Sequence, residues 1–187
     1  MASNRERAIG AAIEILATDG IRALTHRRVD ERAGLPAGST SNAFRTRSAL
    51  LVGITEHMVA TELPAIALPS APPEQDAASP ALLADALIAL FDLLTGPLRT
   101  QTAARLALFV EAGHDEVIRA ALGRGRSRVV EPIRSAFATA GAPDPDLAVQ
   151  LVATCFEGLF LQVLGRHVDV DPRPIIAATV RAALIAE

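Results

Sequence analysis

Apolar residues at helical spacing constrain the fold of this chain more than any other feature. Ala8, Ala11, Ala12, Ile15 and Leu16 fall on one face when residues follow a helical period. Similar stripes recur along the chain between Gly, Pro and cap residues, and no segment reads convincingly as a strand. Half of the sequence is apolar, with six Phe but no Tyr or Trp, so the core must consist mainly of Ala, Leu, Val and Ile. The sequence therefore predicts an all-α protein with a large core.

Start and stop signals divide the chain into about nine or ten predicted helices. Ser3 is a plausible N-cap for the first helix, and Gly20 ends it. Thr25 caps a second helix, which Gly34 ends, and a third begins at about Pro36. The predicted helices cover about residues 4–18, 26–33, 36–43, 46–63, 80–95, 99–112, 115–122, 124–140, 145–167 and 172–186.

The charge distribution separates a basic N-terminal part from an acidic remainder. Residues 1–50 carry eight Arg against five acidic residues, and residues 51–187 carry ten Arg against sixteen. This asymmetry favours contact of the N-terminal part alone with a polyanion, although an excess of this size also arises by chance.

The sequence predicts a cytoplasmic protein. Cys155 is the only cysteine, which excludes an internal disulfide and fits a reducing compartment. The N-terminus is polar and lacks the apolar stretch of a signal peptide. No uninterrupted apolar run reaches about eighteen residues, so no transmembrane helix and no membrane partner are expected.

The segment 25–51 carries the functional information. Its first two short helices meet at Gly34, which supplies the positive φ that the sharp turn of a helix-turn-helix needs. Val29, Leu35 and Phe44 are expected to face the core. The second helix is short and polar, and Ser, Thr and Asn side chains can reach phosphates and base edges. Pairs of arginines flank it on both sides: Arg27, Arg28, Arg45 and Arg47.

This segment resembles the DNA-binding domain of the TetR family of repressors. The residues that carry the resemblance are Gly20, Thr25, Ala33, Gly34, Gly38, Phe44, Arg47, Leu50 and Leu51. Two positions depart from the family pattern, because Ser41 replaces a usual Tyr and Arg47 replaces a usual Lys. The resemblance implies a helix-turn-helix DNA-binding domain over residues 1–47 and a helical ligand-binding and dimerisation domain over residues 48–187.

The resemblance also implies a function as a repressor that binds a palindromic double-stranded DNA operator. Thr25 and Arg47 then contact phosphates, and Arg27 lies where family members read a guanine. The complete set of predicted DNA contacts is Thr25, Arg27, Arg28, Ala37, Gly38, Ser39, Thr40, Ser41, Asn42 and Arg47. An alternative is a dimeric small-molecule-binding protein that has lost DNA binding. The replacement of the usual Tyr by Ser41 would accompany that loss.

The family's C-terminal domain implies an effector pocket and a homodimer held by the last two helices. The expected dimer contacts are Leu147, Leu151, Gly158, Leu161, Ile176, Val180 and Leu184. Alternatively, both helices are buried within one subunit. Polar groups in otherwise apolar helices are candidate contacts for a small, hydrophobic effector: Gln101, Arg105, Glu111, His114, Glu157 and Gln162.

Catalysis and metal binding are not expected. Glu111 and His114 have the Glu-x-x-His spacing of carboxylate-bridged di-iron sites, but such a site needs two such pairs and two further Glu. The sequence lacks the glycine patterns of nucleotide sites and the nucleophile motif of hydrolases. We therefore predict no enzyme activity, no cofactor and no metal.

Overall fold

The computed structural model describes residues 2–62 and 79–185, and in this part of the chain it contains helices and no strand. The all-α prediction is thereby confirmed. The helices are α1 (Asn4–Asp19), α2 (His26–Ala33), α3 (Ser39–Ala43), α4 (Arg47–Glu62), α5 (Pro80–Thr95), α6 (Arg99–Ala112), α7 (Glu116–Thr139), α8 (Pro145–Phe160) and α9 (Arg173–Ile185). The predicted proline-rich loop at 64–80 lies almost entirely outside the described residues.

Local cap residues explain where several helices begin and end. Ser3 and Glu6 form a capping box at the start of α1, and the hydrogen bonds from Ser3 lower the pKa of Glu6. The Thr25 hydroxyl accepts the Arg28 N–H at the start of α2. Gly20 and Gly34 follow α1 and α2 with φ of 77° and 62°. These caps lie where the sequence predicted them.

The prediction of two helices between His114 and Ala140 is wrong, because α7 runs through this segment as one helix of 24 residues. Gly123 and Gly125 lie inside it, and each glycine costs only about 1 kcal/mol in a helix interior. Buried residues on both sides of the glycines, among them Ile118 and Phe137, outweigh that cost.

The helices group into two compact units. The first unit comprises residues 2–62 and 98–126, and the second comprises residues 79–97 and 127–185. In the first unit, α1 packs against α2, α3, α4 and α6. Its fully buried side chains include Ile9, Ile15, Leu24, Val29, Leu51, Ile54, Leu108 and Ile118. The predicted boundary between residues 47 and 48 stays a prediction.

In the second unit, α9 packs against both α5 and α8. Three phenylalanines from α5 and α8 form its aromatic cluster. Phe91 stacks on Phe160 with ring centroids 5.4 Å apart, and Phe156 meets both rings edge-on at 5.6 and 5.7 Å. Such aromatic pairs stabilise a core beyond the area that they bury.

One unbroken helix in the described residues is long and apolar enough to cross a membrane. It consists of α8 and the π-helical turn Leu161–Gly165 that continues it. Its mean hydropathy is 1.8, and 33% of the helix window is buried inside the chain. Length and composition are the only basis for this finding, and helices packed in protein cores share both properties.

Candidate nucleic-acid interface

The turn between α2 and α3 is fixed by backbone hydrogen bonds and by burial of its apolar residues. Gly34 adopts the left-handed conformation and donates its N–H to the Asp30 and Glu31 carbonyl oxygens. The Leu35 N–H also bonds to the Asp30 carbonyl, at 2.9 Å. Val29, Leu35 and Phe44 are buried in the core of the first unit. The helices and the turn therefore lie where the sequence predicted a helix-turn-helix.

Helix α3 begins at Ser39, three residues later than predicted. Residues 36–38 form a turn instead, and Gly38 precedes the helix with a φ of 89°. Ser39 donates its hydroxyl to the Pro36 carbonyl at 2.7 Å, which closes this turn. Because α3 has only five residues, contacts to other elements must hold it in place.

The buried Asp30 carboxylate ties α3 to α2. It accepts the Gly38 N–H at 2.8 Å, the Thr40 N–H at 2.8 Å and the Thr40 hydroxyl at 2.5 Å. Burial raises the pKa of Asp30, but these hydrogen bonds and the charge of His26 outweigh it and hold the pKa below its ordinary value.

The prediction that Thr40 contacts DNA is wrong. Its side chain is 0% exposed, and its hydroxyl is donated to Asp30. This role of Asp30 was not predicted from the sequence. No local signal indicated it, because consecutive residues on a helix do not share a face and the burial of Asp30 depends on tertiary packing.

The other predicted contacts around α3 stay accessible. Ala37, Ser41 and Asn42 are exposed, and Gly38 and Ser39 are partly exposed. The Ser41 hydroxyl donates to the Gly38 carbonyl at 2.9 Å. The Asn42 side-chain amide makes no hydrogen bond within the described residues, so its donors and acceptor are free to bind a ligand.

Two arginines of α2 lie on the same short helix but in different surroundings. The Arg27 side chain is 89% exposed and pairs with Glu31 one turn further along α2. Arg28 instead pairs with Asp19 at the end of α1, and Arg32 binds the same carboxylate oxygen. Exposed pairs of this kind contribute about 0–1 kcal/mol, so an arginine can exchange its partner for a phosphate.

Arg47 and Glu111 were predicted to have separate roles, and the structure brings them together. Arg47 Nη1 lies 2.8 Å from Glu111 Oε1, and Nη2 donates to the Ile21 carbonyl at 3.0 Å. The adjacent Ser48 hydroxyl lies 3.4 Å from Asp115 Oδ2. The start of α4 is therefore tied to the end of α6 and to the turn that follows it.

The remaining effector candidates lie on different elements. Gln101 and Arg105 are partly buried on α6, and His114 is exposed just after it. In the second unit, Glu157 is exposed on α8 and Gln162 is partly buried in the π turn. Among residues 2–62 and 79–185, no three metal-ligating side chains come together, so the Glu111–His114 pair gains no third ligand there.

The structure corrects the predicted dimer contacts on α9. Ile176 and Val180 are 1% and 0% exposed in the single chain, so both belong to the core of the second unit. In the π turn after α8, Leu161 is 55% exposed. On α8, a Cβ on exposed Gly158 would meet nothing within 4 Å. Leu147, Leu151 and Leu184 are partly buried. Two residues outside the predicted set, Ile175 and Ile185, are exposed on α9.

The family of the chain follows from comparison with known proteins. The family model described as "Tetracyclin repressor-like, C-terminal domain" matches residues 78–186, more than half of the chain. The chain therefore belongs to the TetR family of transcriptional regulators. No curated protein sequence matches it significantly.

Solved structures share the fold over nearly the whole chain. A TetR-family member from Streptomyces coelicolor is 26% identical with a TM-score of 0.74, covering 98% of this chain and 99% of its own. The multidrug binding protein EbrR, complexed with imidazole, is 27% identical with a TM-score of 0.71, covering 100% and 98%. A transcriptional regulator from Rhodococcus is 20% identical with a TM-score of 0.74, covering 97% and 96%, and this likeness concerns the fold alone.

Proposed function

We propose that this protein represses transcription by binding a palindromic DNA operator as a homodimer, and that a small hydrophobic effector controls this binding. The observation that carries the proposal is the α2–turn–α3 arrangement, which fixes a short polar helix and leaves Ser41 and Asn42 exposed. Arg27, on the preceding helix, is the most freely exposed arginine among the ion pairs of the first unit.

The exposed residues divide into two groups by chemistry. An Asn amide can bind adenine and an Arg guanidinium can bind guanine through paired hydrogen bonds, so Asn42 and Arg27 are proposed to read bases. Ser41 adds a hydroxyl beside Asn42. Phosphate contacts position the protein without specifying sequence, and we assign them to Thr25, Arg28, Ala37, Ser39 and Arg47. Gly38 is left out of this group because its N–H is already donated to Asp30.

The apolar surface of α8 supports the proposed homodimer. Only a third of the apolar helix formed by α8 and the π turn is buried, and both Gly158 of α8 and Leu161 of the π turn are exposed in the single chain. Ile175 and Ile185 add exposed apolar area on α9. A twofold interface buries the same patch on both subunits. The two copies of α3 can then contact the two half-sites of a palindromic operator.

The proposed effector is a small hydrophobic molecule. EbrR, which is 26% identical to this chain in its ethidium complex, binds a planar aromatic molecule. The second unit of this chain contains three mutually packed aromatic rings, Phe91, Phe156 and Phe160. Offset stacking on such rings is the chemistry that favours a planar ligand with a large apolar area.

Two arginine variants test the assignment of DNA contacts. We expect Arg27→Ala to lose about 1–3 kcal/mol of preference for one base pair in a gel shift. Arg47→Ala should weaken binding to all duplexes alike and lower the slope of the salt dependence by about one. The matched control is Arg99→Ala, which removes a guanidinium about 18 Å along α6 from Glu111. Equal effects of all three variants would contradict the assignment.

The presence of Ser at position 41 favours one alternative, in which the chain is a dimeric small-molecule-binding protein that does not bind DNA. A usual family Tyr is absent there, and the Ser41 hydroxyl is partly engaged by the Gly38 carbonyl. Ethidium binding by calorimetry, combined with no retention of any duplex at low salt, would select this alternative. Salt-sensitive retention of duplex DNA would exclude it.

A further inference from the structure

Helix α3 lacks a cap of its own. Gly38 occupies its N-cap position and has no side chain to accept the first N–H groups of the helix. A five-residue helix without a cap is unstable in isolation. Its orientation must therefore be set by groups outside it.

Asp30 supplies the missing cap from the neighbouring helix α2. One carboxylate oxygen accepts the Gly38 N–H, and the other accepts both donors of Thr40. Asp30 is 4% exposed, so water does not compete effectively for these bonds. Three hydrogen bonds to two different oxygens fix both the distance and the rotation of α3 relative to α2.

The other end of α3 is held by apolar packing. Phe44 follows the helix directly and is buried in the core of the first unit. Ser41 and Asn42 lie between this anchor and the cap that Asp30 provides. Without the cap, α3 remains attached at Phe44 but gains freedom to rotate about that anchor.

We propose that Asp30 is a positioning residue that sets the sequence preference of DNA binding by locking the orientation of α3. This inference rests on the proposed function, in which α3 reads bases. Asp30 is buried and acts through Thr40 and Gly38 without touching DNA. Base-edge hydrogen bonds demand a fixed geometry, whereas phosphate contacts by long arginine side chains tolerate small rotations. Loss of the hydrogen bonds between Asp30 and α3 therefore lowers the affinity for a specific sequence more than the affinity for other duplexes.

A pair of substitutions at Thr40 tests the inference. Thr40→Val keeps the shape of the side chain but removes the hydroxyl donated to Asp30, and the matched control Thr40→Ser keeps that hydroxyl. Affinity is measured for a genomic fragment that the wild-type protein retains and for a scrambled duplex of equal length. We expect Thr40→Val to lower the ratio of the two affinities about tenfold. Thr40→Ser should stay within about twofold of the wild type, and scrambled-duplex affinity should change little in either variant.

Amide hydrogen exchange on the free protein provides a readout that does not depend on DNA. The Gly38 and Thr40 N–H groups should exchange faster in Thr40→Val than in Thr40→Ser, while amides in the middle of α1 stay unchanged. Unchanged exchange, or equal losses of specific and non-specific affinity, overturns the positioning role. Failure of the wild-type protein to bind any duplex instead overturns the proposed function. The exchange rates of the Gly38 and Thr40 N–H groups then test only whether Asp30 caps α3.

Discussion

Phe44 shows how closely single residues of the first unit are packed. Its ring is buried beside α4, and the Arg5 guanidinium lies 4.8 Å from the ring centroid. Gly53 of α4 faces the same ring, because a Cβ at this position would lie 2.5 Å from Phe44 Cε1. The absence of a side chain at Gly53 therefore allows the segment after α3 to approach α4 closely.

Gly53→Ala tests this close approach. The added methyl group must displace a buried aromatic ring, so we expect a loss of about 1–3 kcal/mol in the free energy of unfolding by urea. The control is Gly10→Ala on α1, where a Cβ would meet nothing within 4 Å. That variant should gain roughly 0.5–1 kcal/mol from helix propensity. Similar changes in both variants would show that Gly53 is not a packing requirement.

At the scale of elements, the contact between Arg47 and Glu111 joins the start of α4 to the end of α6. The Arg47 side chain is 45% exposed, so the guanidinium is available to solvent while it holds this pair. A phosphate that binds Arg47 must compete with the Glu111 carboxylate for the same N–H donors. If Arg47 binds phosphate as proposed, the position of α6 is linked to the affinity for DNA.

Glu111→Gln should strengthen DNA binding. Removing the competing charge leaves Arg47 freer to bind phosphate, and we expect affinity for all duplexes to rise about two- to fivefold. Glu131→Gln is the matched control, because it breaks the Arg134–Glu131 pair on α7 with the same change in net charge. Filter binding at fixed salt measures both variants. Weaker binding by Glu111→Gln would mean that Glu111 presents Arg47 to the DNA.

The elements that could be predicted from sequence are those fixed by local signals. Ser3, Thr25 and Gly34 specify their helix ends through contacts within a few residues. The Asp30–Thr40 contact could not be predicted in this way, because it joins residues of two helices through a tertiary hydrogen bond.

Long-range packing limited the remaining predictions. The Arg47–Glu111 pair spans 64 positions, which no local pattern reveals. On α9, apolar periodicity marked Ile176 and Val180 correctly as one face. Periodicity alone does not say whether such a face packs within the subunit or against a partner. The burial of both residues in the single chain decides this point.

At the scale of the whole molecule, the proposed dimer depends on the open face of α8. Leu161→Glu places a charge on an exposed position, so the subunit should still fold while the interface loses affinity. We expect a monomer by sedimentation at micromolar concentration, where we expect the wild type to be a dimer. Leu82→Glu is the control, because Leu82 is similarly exposed on α5. A dimer in the Leu161→Glu variant would place the interface elsewhere.

The central claim is that two copies of α3 are presented to one duplex. Selection of fragments from genomic DNA by the wild-type protein, followed by sedimentation of the complex, tests this claim most directly. We expect an inverted repeat with half-sites about one helical turn or a multiple apart, and an even number of chains per site. A protein that stays monomeric and retains no duplex at low salt would contradict it.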